Sequence, residues 1–340
     1  MKIIRPIRVS DLDALLLMAK TAGAGFTSLP PIPEFLKKKI ELSLESFDRD
    51  VRQAGHERYM FVLEETDTGE IGGCCAVEAA CGLDEPFYNY SVGLTVHASR
   101  ALKIYNRHPT LYLSNDYTGT SVLCSLYLRP EFREGGSGHL LSKSRLLFMA
   151  THTQRFAEKV IAEMRGVSNE GGRSPFWEGL GRHFFSIEYS EAEHIVGTGN
   201  KAIIAELMPH HPIYTNLLPP EAQEVIGKVH PQTAPALRLL EQEGFRYQGY
   251  IDIFDGGPTV EAPLHEIRSI KRSLVMTMPA VNADDRGDEG TPCLVANLQL
   301  HNYRCAVARL SWEGHGVTIP KALAQALLVK PGDALRVVAL

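Results

Sequence analysis

Apolar and polar positions along the chain divide it into strands and helices. Ile3 to Val9 reads as an edge strand, and Ser10-Asp11-Leu12-Asp13 supplies an N-cap for a helix carrying Leu15, Leu16, Met18 and Ala19. Thr21 to Pro33 is a glycine- and proline-rich loop, after which a charged amphipathic helix runs from Ile32 to Gln53. Tyr59 to Glu64 and Ile71 to Glu78 form a hairpin across Thr66-Asp67-Thr68-Gly69-Glu70, and Phe87 to His97 and Thr110 to Ser114 are further strands.

The pattern is most informative between Ser121 and Gly166. Leu123 to Leu128 is short and apolar and stops before Pro130, which cannot donate to a sheet, so it predicts a strand ending there. Beyond the glycine-rich Glu134-Gly135-Gly136-Ser137-Gly138, residues Leu140, Leu141, Ser144, Leu147 and Phe148 fall at helical spacing, with Lys143 and Arg145 expected to point away. A glycine loop that opens a helix offers unpaired amides and the positive end of the macrodipole, and the guest this suits is a phosphate. A dinucleotide site is disfavoured, because the acid of the next strand, Glu163, is followed by Met164-Arg165-Gly166 in a sequence without the expected crossover pattern.

Arg133-x-x-Gly136-x-Gly138 resembles the phosphate loop of the GNAT superfamily of acyl-CoA-dependent N-acyltransferases. The resemblance implies that Arg133, Gly135, Gly136, Ser137 and Gly138 hold the coenzyme A pyrophosphate, and that the preceding strand splays from its neighbour to pair with the pantetheine arm. It also implies the fold class: α/β (α+β), with a mixed, mainly antiparallel sheet flanked by helices. The order strand, helix, loop, helix at the N-terminus fits that expectation. Phe176-Trp177-Glu178-Gly179-Leu180-Gly181 resembles the second signature of this superfamily, a short aromatic helix ending at Leu-Gly before an aromatic strand. Leu239-Leu240-Glu241-Gln242-Glu243-Gly244-Phe245 echoes it, and the two units together predict a duplicated or partly duplicated arrangement.

Composition narrows the setting. The 340 residues carry 35 Lys and Arg against 40 Asp and Glu, a net charge of -5, so no global field draws the chain to nucleic acid or to an anionic membrane. Anion binding is therefore local. No apolar run approaches the length of a membrane span and no leader pattern opens the sequence, which gives a cytoplasmic expectation. The six cysteines show no spacing suited to zinc and read as packed thiols; no metal and no permanently bound cofactor are expected.

Val225 to Pro235, which contains Val229-His230-Pro231-Gln232-Thr233, closely resembles the arginine N-succinyltransferase family, as do Tyr250 to Pro258, Ala205 to Tyr214 and the Arg133 loop. The resemblance extends from Ile4 to about Ile270. It implies transfer of succinyl from succinyl-CoA, as cosubstrate, to the α-amino group of L-arginine, the first step of ammonia-producing arginine catabolism. It also implies that His230 is the proton donor and that Leu126, on the splayed strand, contacts succinyl-CoA. The chemistry suits an imidazole: the guanidinium stays protonated above a pKa of about 12, the α-amine must shed a proton to attack, and the thiolate leaves more readily if it receives one.

Further acceptor-site candidates come from side-chain type alone. Asp252 and Asp255 suit a guanidinium, Arg165 and Arg173 suit a carboxylate, and Asn115 and Asp116 precede the coenzyme strand. His183, His210 and His211 are alternative proton carriers, while His139 reads as a helix-start residue. The expected domains are 1–200 for acyl-CoA binding, 201–280 completing the acceptor site, and 281–340 as a linker from Asn282 to Pro292 plus a small β-rich extension. That extension resembles swapped-hairpin DNA-binding regulators at Ile319-Pro320-Lys321 and Pro331-Gly332-Asp333, but without a concentrated basic patch it reads as a module packed on the body. Another acyl-CoA or another amine such as ornithine, a non-catalytic coenzyme A-binding subunit, and a homo- or hetero-oligomer are all compatible with the sequence.

Overall fold

The computed structural model describes residues 1–22, 28–169, 171–197, 206–278, 281–282, 290–310, 312–313 and 316–340. Parts of the Thr21–Pro33 loop (23–27) and of the expected linker (283–289), together with Ala205 of the Ala205–Tyr214 run, lie outside the described residues.

The strands are β1 (Lys2–Pro6), β2 (Arg58–Glu65), β3 (Ile71–Glu78), β4 (Asn89–Ser99), β5 (Ile104–Ser114), β6 (Ser121–Leu128), β7 (Lys159–Glu163), β8 (Ile213–Tyr214), β9 (Arg246–Ile251) and β10 (Pro258–Pro263). The principal helices are α1 (Leu12–Thr21), α2 (Pro33–Asp48) and α3 (Ser137–Thr151). One mainly antiparallel sheet runs in the order β1-β2-β3-β6-β7-β10-β9-β4-β5-β8. Leu15, Met18, Leu36 and Ile40 of α1 and α2 pack with Met60, Val62, Cys74 and Ala76 on one face. Leu140, Leu141, Leu147 and Phe148 of α3 cover the other, against Phe61, Cys75, Val160 and Ala162.

Three expectations change. β1 is not an edge strand: it pairs with β2 on one side and with Cys305–Leu310 on the other, because the C-terminal strands continue the same sheet. β9 and β10, from the 201–280 segment, join the same sheet beside β7 rather than forming one of their own. Leu180-Gly181 does not lead into an aromatic strand, since Gly181–Phe185 is helical. Gly181 is required by packing, as a Cβ there would strike the Trp177 ring. Its echo does have the expected form: Gly244, at φ +102, ends the Ala234–Gln242 helix and turns the chain into Phe245 and β9.

α3 is buried nearly all round, so Lys143 and Arg145 do not point to solvent. The C-terminal part covers α3 as well, and Tyr303 donates to the Ser144 carbonyl at 2.7 Å. Lys143 pairs at 3.0 Å with Glu243, just beyond the Ala234–Gln242 helix, while the Ser269 amide donates to the same carboxylate at 2.7 Å. Helix charges at polar spacing thus face partners brought by distant segments.

Candidate active site

The site begins where β6 and β7 part. They pair in parallel only at Ser121↔Val160 and Val122↔Ile161. Beyond that point β6 stays with β3 as far as Leu128, and β7 stays with β10 as far as Glu163. The gap is a cleft of about 720 Å³, within the usual range for ligand sites.

A bulge shapes the β6 wall. Cys74 faces Tyr127 and Ala76 faces Cys124, so Ser125 and Leu126 together stand opposite Cys75, and Ser125 adopts φ +52. The extra residue takes this part of β6 out of the regular ladder. Arg145 reaches up from α3 and donates to the Ala76 and Cys124 carbonyls, each at 3.4 Å, on either side of the irregularity. Burial lowers its pKa, so this guanidinium sits where its charge is costly, with neutral oxygens as its hydrogen-bond partners. Sequence reading missed Arg145 because a bulge leaves no pattern in the helix that fills it.

At the end of β6 the chain makes the phosphate-type turn. Gly135 and Gly136 have φ +57 and +78, and Gly136 is the N-cap of α3. A Cβ at Gly135, Gly136 or Gly138 would meet no protein atom within 4 Å, so these glycines leave room for a guest as well as permitting the turn. The first turn of α3 contains no acid. Arg133 is held to the turn by its Nε, which donates to the Leu128 carbonyl at 3.0 Å. Lys2 adds a cation that sequence reading did not find: its Nζ donates to Ser137 Oγ at 3.1 Å across 135 residues of chain. Leu126 and residues 133–139, His139 included, line the cleft.

The opposite wall comes from the end of β7 and the Ala234–Gln242 helix. Arg165 lines the cleft, donates from Nη2 to Ser168 Oγ at 2.9 Å, and has a buried Nε without a hydrogen-bond partner. His230 neighbours it through the backbone but is not among the residues that line the cleft, whereas Gln232 and Thr233 are. The His230 amide donates to the Arg165 carbonyl at 2.8 Å, and Gly166 and Val229 form an antiparallel bridge that extends β7. The Gln232 amide donates to His230 Nδ1 at 3.2 Å, which leaves Nε2 to carry the proton in the neutral ring. Partial burial and then the Arg165 charge lower the His230 pKa, against an upward pull from the Ser168 backbone. The imidazole is therefore neutral near pH 7, with its one unprotonated nitrogen, Nδ1, accepting from the Gln232 amide and the Nε2–H as its proton to give. Gln232 and Thr233 continue the cleft wall.

The remaining candidates lie elsewhere. Asp255 is buried and accepts from the Gly166 and Gly257 amides at 2.6 and 2.8 Å, and Asp252 accepts from the Phe254 and Asp255 amides. These contacts brace the turn against Gly166, next to Arg165. Neither aspartate lines the cleft. A Cβ at Gly257 would strike the Met164 carbonyl, so the Gly256-Gly257 pair is what lets this turn approach β7. Arg173 is exposed and paired with Glu178 at 2.7 Å. Asn115 and Asp116 occupy the exposed β5–β6 turn, where Asp116 accepts from Tyr250 at 2.7 Å. His183, His210 and His211 are exposed and outside the cleft wall.

The six cysteines form no disulfide, and Cys124, on the cleft wall, has a pKa raised by burial, which suits a packed thiol better than a nucleophile. Among the described residues no group of three or more His, Cys, Asp or Glu could hold a metal ion, and no helix is long and apolar enough to cross a membrane.

Comparison with known proteins adds the following. The family model described as arginine N-succinyltransferase beta subunit matches residues 2–269, and that of its C-terminal domain matches residues 277–339. Proteins called arginine N-succinyltransferase from Salmonella paratyphi B and Salmonella newport are 50% identical over 340 residues, covering 100% of this chain and 98% of theirs. The solved structure of arginine/ornithine succinyltransferase subunit AI from Pseudomonas aeruginosa superposes with a TM-score of 0.91 at 41% identity, covering 100% of this chain and 98% of that one.

Proposed function

The chain belongs to the arginine N-succinyltransferase family, and on that premise we propose how its cleft works. It transfers succinyl from succinyl-CoA to the α-amino group of L-arginine, giving N2-succinyl-L-arginine and coenzyme A, by direct attack within a ternary complex. The observation that carries this reading is the parting of β6 from β7 beside a double left-handed glycine turn at the start of α3. Pyrophosphate sits against the amides and glycines of residues 135–138, with Lys2 and Arg133 as nearby cations. The pantetheine arm follows the unpaired edge of β6, which brings the thioester carbonyl to the bulge.

At the bulge the Leu126 amide is outside the regular ladder and serves as donor to the developing oxyanion. The α-amine attacks the carbonyl carbon; the C–N bond forms, the C–S bond breaks, one proton leaves nitrogen and one reaches sulfur. His230 gives its Nε2 proton to sulfur and regains one from the attacking nitrogen, so the ring is neutral before and after the transfer. Arg165 stands beside it as the cation for a carboxylate, that of the succinyl chain or of the amino acid. Asp252 and Asp255 support this wall through the backbone of their turn. Ornithine is a second acceptor to assay, because the Pseudomonas aeruginosa relative is named for both amino acids.

The test is thiol release with identification of the product, using succinyl-CoA or acetyl-CoA against L-arginine or L-ornithine. Succinyl-CoA with arginine is expected to give N2-succinylarginine. A protein that retains coenzyme A but transfers no acyl group to any amine would contradict the reading, and accumulation of a succinyl-enzyme would contradict direct attack.

A further inference from the structure

The proposed reaction brings a cationic amino acid to the cleft, and a partly desolvated cation requires an anion. Two carboxylates line the cleft among the described residues, Glu134 and Glu163. Glu134 belongs to the glycine turn, is 79% exposed, and lies 3.8 Å from Lys2 Nζ. Glu163 is the last residue of β7, at the open end of the junction.

Strand alternation decides which way it faces. Val160, Ala162 and Met164 pack into the core that contains α3. Ile161 packs on the other face with Phe87, Tyr117 and Val122, and Glu163 shares that face. Ala22, just after α1, and Ser28 line the cleft there too, and Ser125 Oγ donates to Ser28 Oγ at 3.2 Å. The coenzyme helix occupies the opposite face, so the acceptor has this side to enter from.

The carboxylate is also held. Asn89, 1% exposed at the start of β4, donates from Nδ2 to Glu163 Oε1 at 3.0 Å. The same nitrogen lies 3.2 Å from Thr259 Oγ1 and 3.5 Å from the Ile251 carbonyl, which ties it to β9 and β10. A fixed carboxylate at the cleft wall is arranged to meet a cation without first being ordered.

We propose that Glu163 is the anionic contact for a cationic nitrogen of the acceptor, and that Asn89 is the positioning residue that holds its carboxylate. This rests on the arginine-succinylating reading above. Both the α-ammonium and the guanidinium have the required chemistry, and the experiment separates them.

Glu163→Gln keeps the shape of the side chain and can still accept from Asn89, so it removes charge with little effect on packing. The KM for arginine is expected to rise about tenfold or more, the loss of one charge-assisted hydrogen bond, while the Kd for coenzyme A stays within about twofold. Glu163→Asp should recover part of the loss. Citrulline, which keeps the α-ammonium but has a neutral side chain, is measured in parallel as substrate or competitor. Weaker citrulline recognition by the variant assigns the contact to the ammonium, and unchanged recognition assigns it to the guanidinium. An unchanged KM for arginine would overturn the proposal, as would an equal loss of coenzyme A affinity. Failure of the underlying reading looks different: the unaltered enzyme would then turn over no cationic amine, which overturns both.

Discussion

The two walls of the cleft are built on different principles. The β6 wall and the glycine turn are one contiguous stretch, and what they present is mostly backbone: a bulge amide, an uncovered strand edge and the first turn of α3. The β7 wall is assembled from side chains, with Arg165, Glu163 and His230 held by Ser168, Asn89, Gln232 and the Asp255 turn. Backbone recognition suits the part of a cosubstrate that does not vary. On the proposed reading, side chains set which amine reacts and where its protons go, and they can be exchanged without altering the first wall.

Substitutions should separate the walls in a graded way. The largest effect is expected where they are tied together, at the buried Lys143–Glu243 pair between α3 and the end of the Ala234–Gln242 helix. Lys143→Met removes the nearest cation from a carboxylate that is 1% exposed, leaving it Arg268 at 3.6 Å and the Ser269 amide, and should cost about 3 kcal/mol in urea unfolding. His230→Ala should lower kcat by about 10² to 10³ and leave the Kd for coenzyme A unchanged. The pH profile carries the same information: because the His230 pKa is lowered from 6.5, the acid limb of kcat/KM should fall below pH 6.5 as the ring protonates, and the variant should lose that limb. Gly136→Val should do the reverse, weakening coenzyme A by about tenfold or more, because a branched side chain is strained at φ +78 and fills the space left for phosphate. Arg173→Ala and Asn115→Ala should change kcat and both KM values by less than about twofold, since both residues are exposed and outside the cleft wall. A larger change at either would extend the acceptor wall beyond the cleft.

Contiguity also explains what could be read from the chain. The β6-turn-α3 order and the β2/β3 hairpin depend on local periodicity and glycine chemistry, so the sequence pattern carried them. Local signals fail where distant segments decide. Lys143 and Arg145 sat at polar helical positions, but Glu243 and the β6 bulge lie on the far side of the helix surface they occupy. β1 looked like an edge until strands from residues 291–310 paired beyond it. Two helix-Gly-Phe runs resembled each other, yet one glycine makes room for Trp177 and the other makes a turn. Glu163 was visible only as a residue that argued against a dinucleotide site, because the asparagine that holds its carboxylate lies 74 residues earlier in the chain.

The most direct test is amide hydrogen exchange, read peptide by peptide, in the free protein, with coenzyme A, and with coenzyme A plus arginine. Coenzyme A alone should protect Leu123–Leu128 and 133–141 while leaving the segments around Asn89, Glu163 and His230 nearly unchanged. Arginine added to that complex should then protect the second group. Protection of the β7 wall by coenzyme A alone, or none at the glycine turn, would contradict the division of the cleft into a backbone wall for the cosubstrate and a side-chain wall for the acceptor.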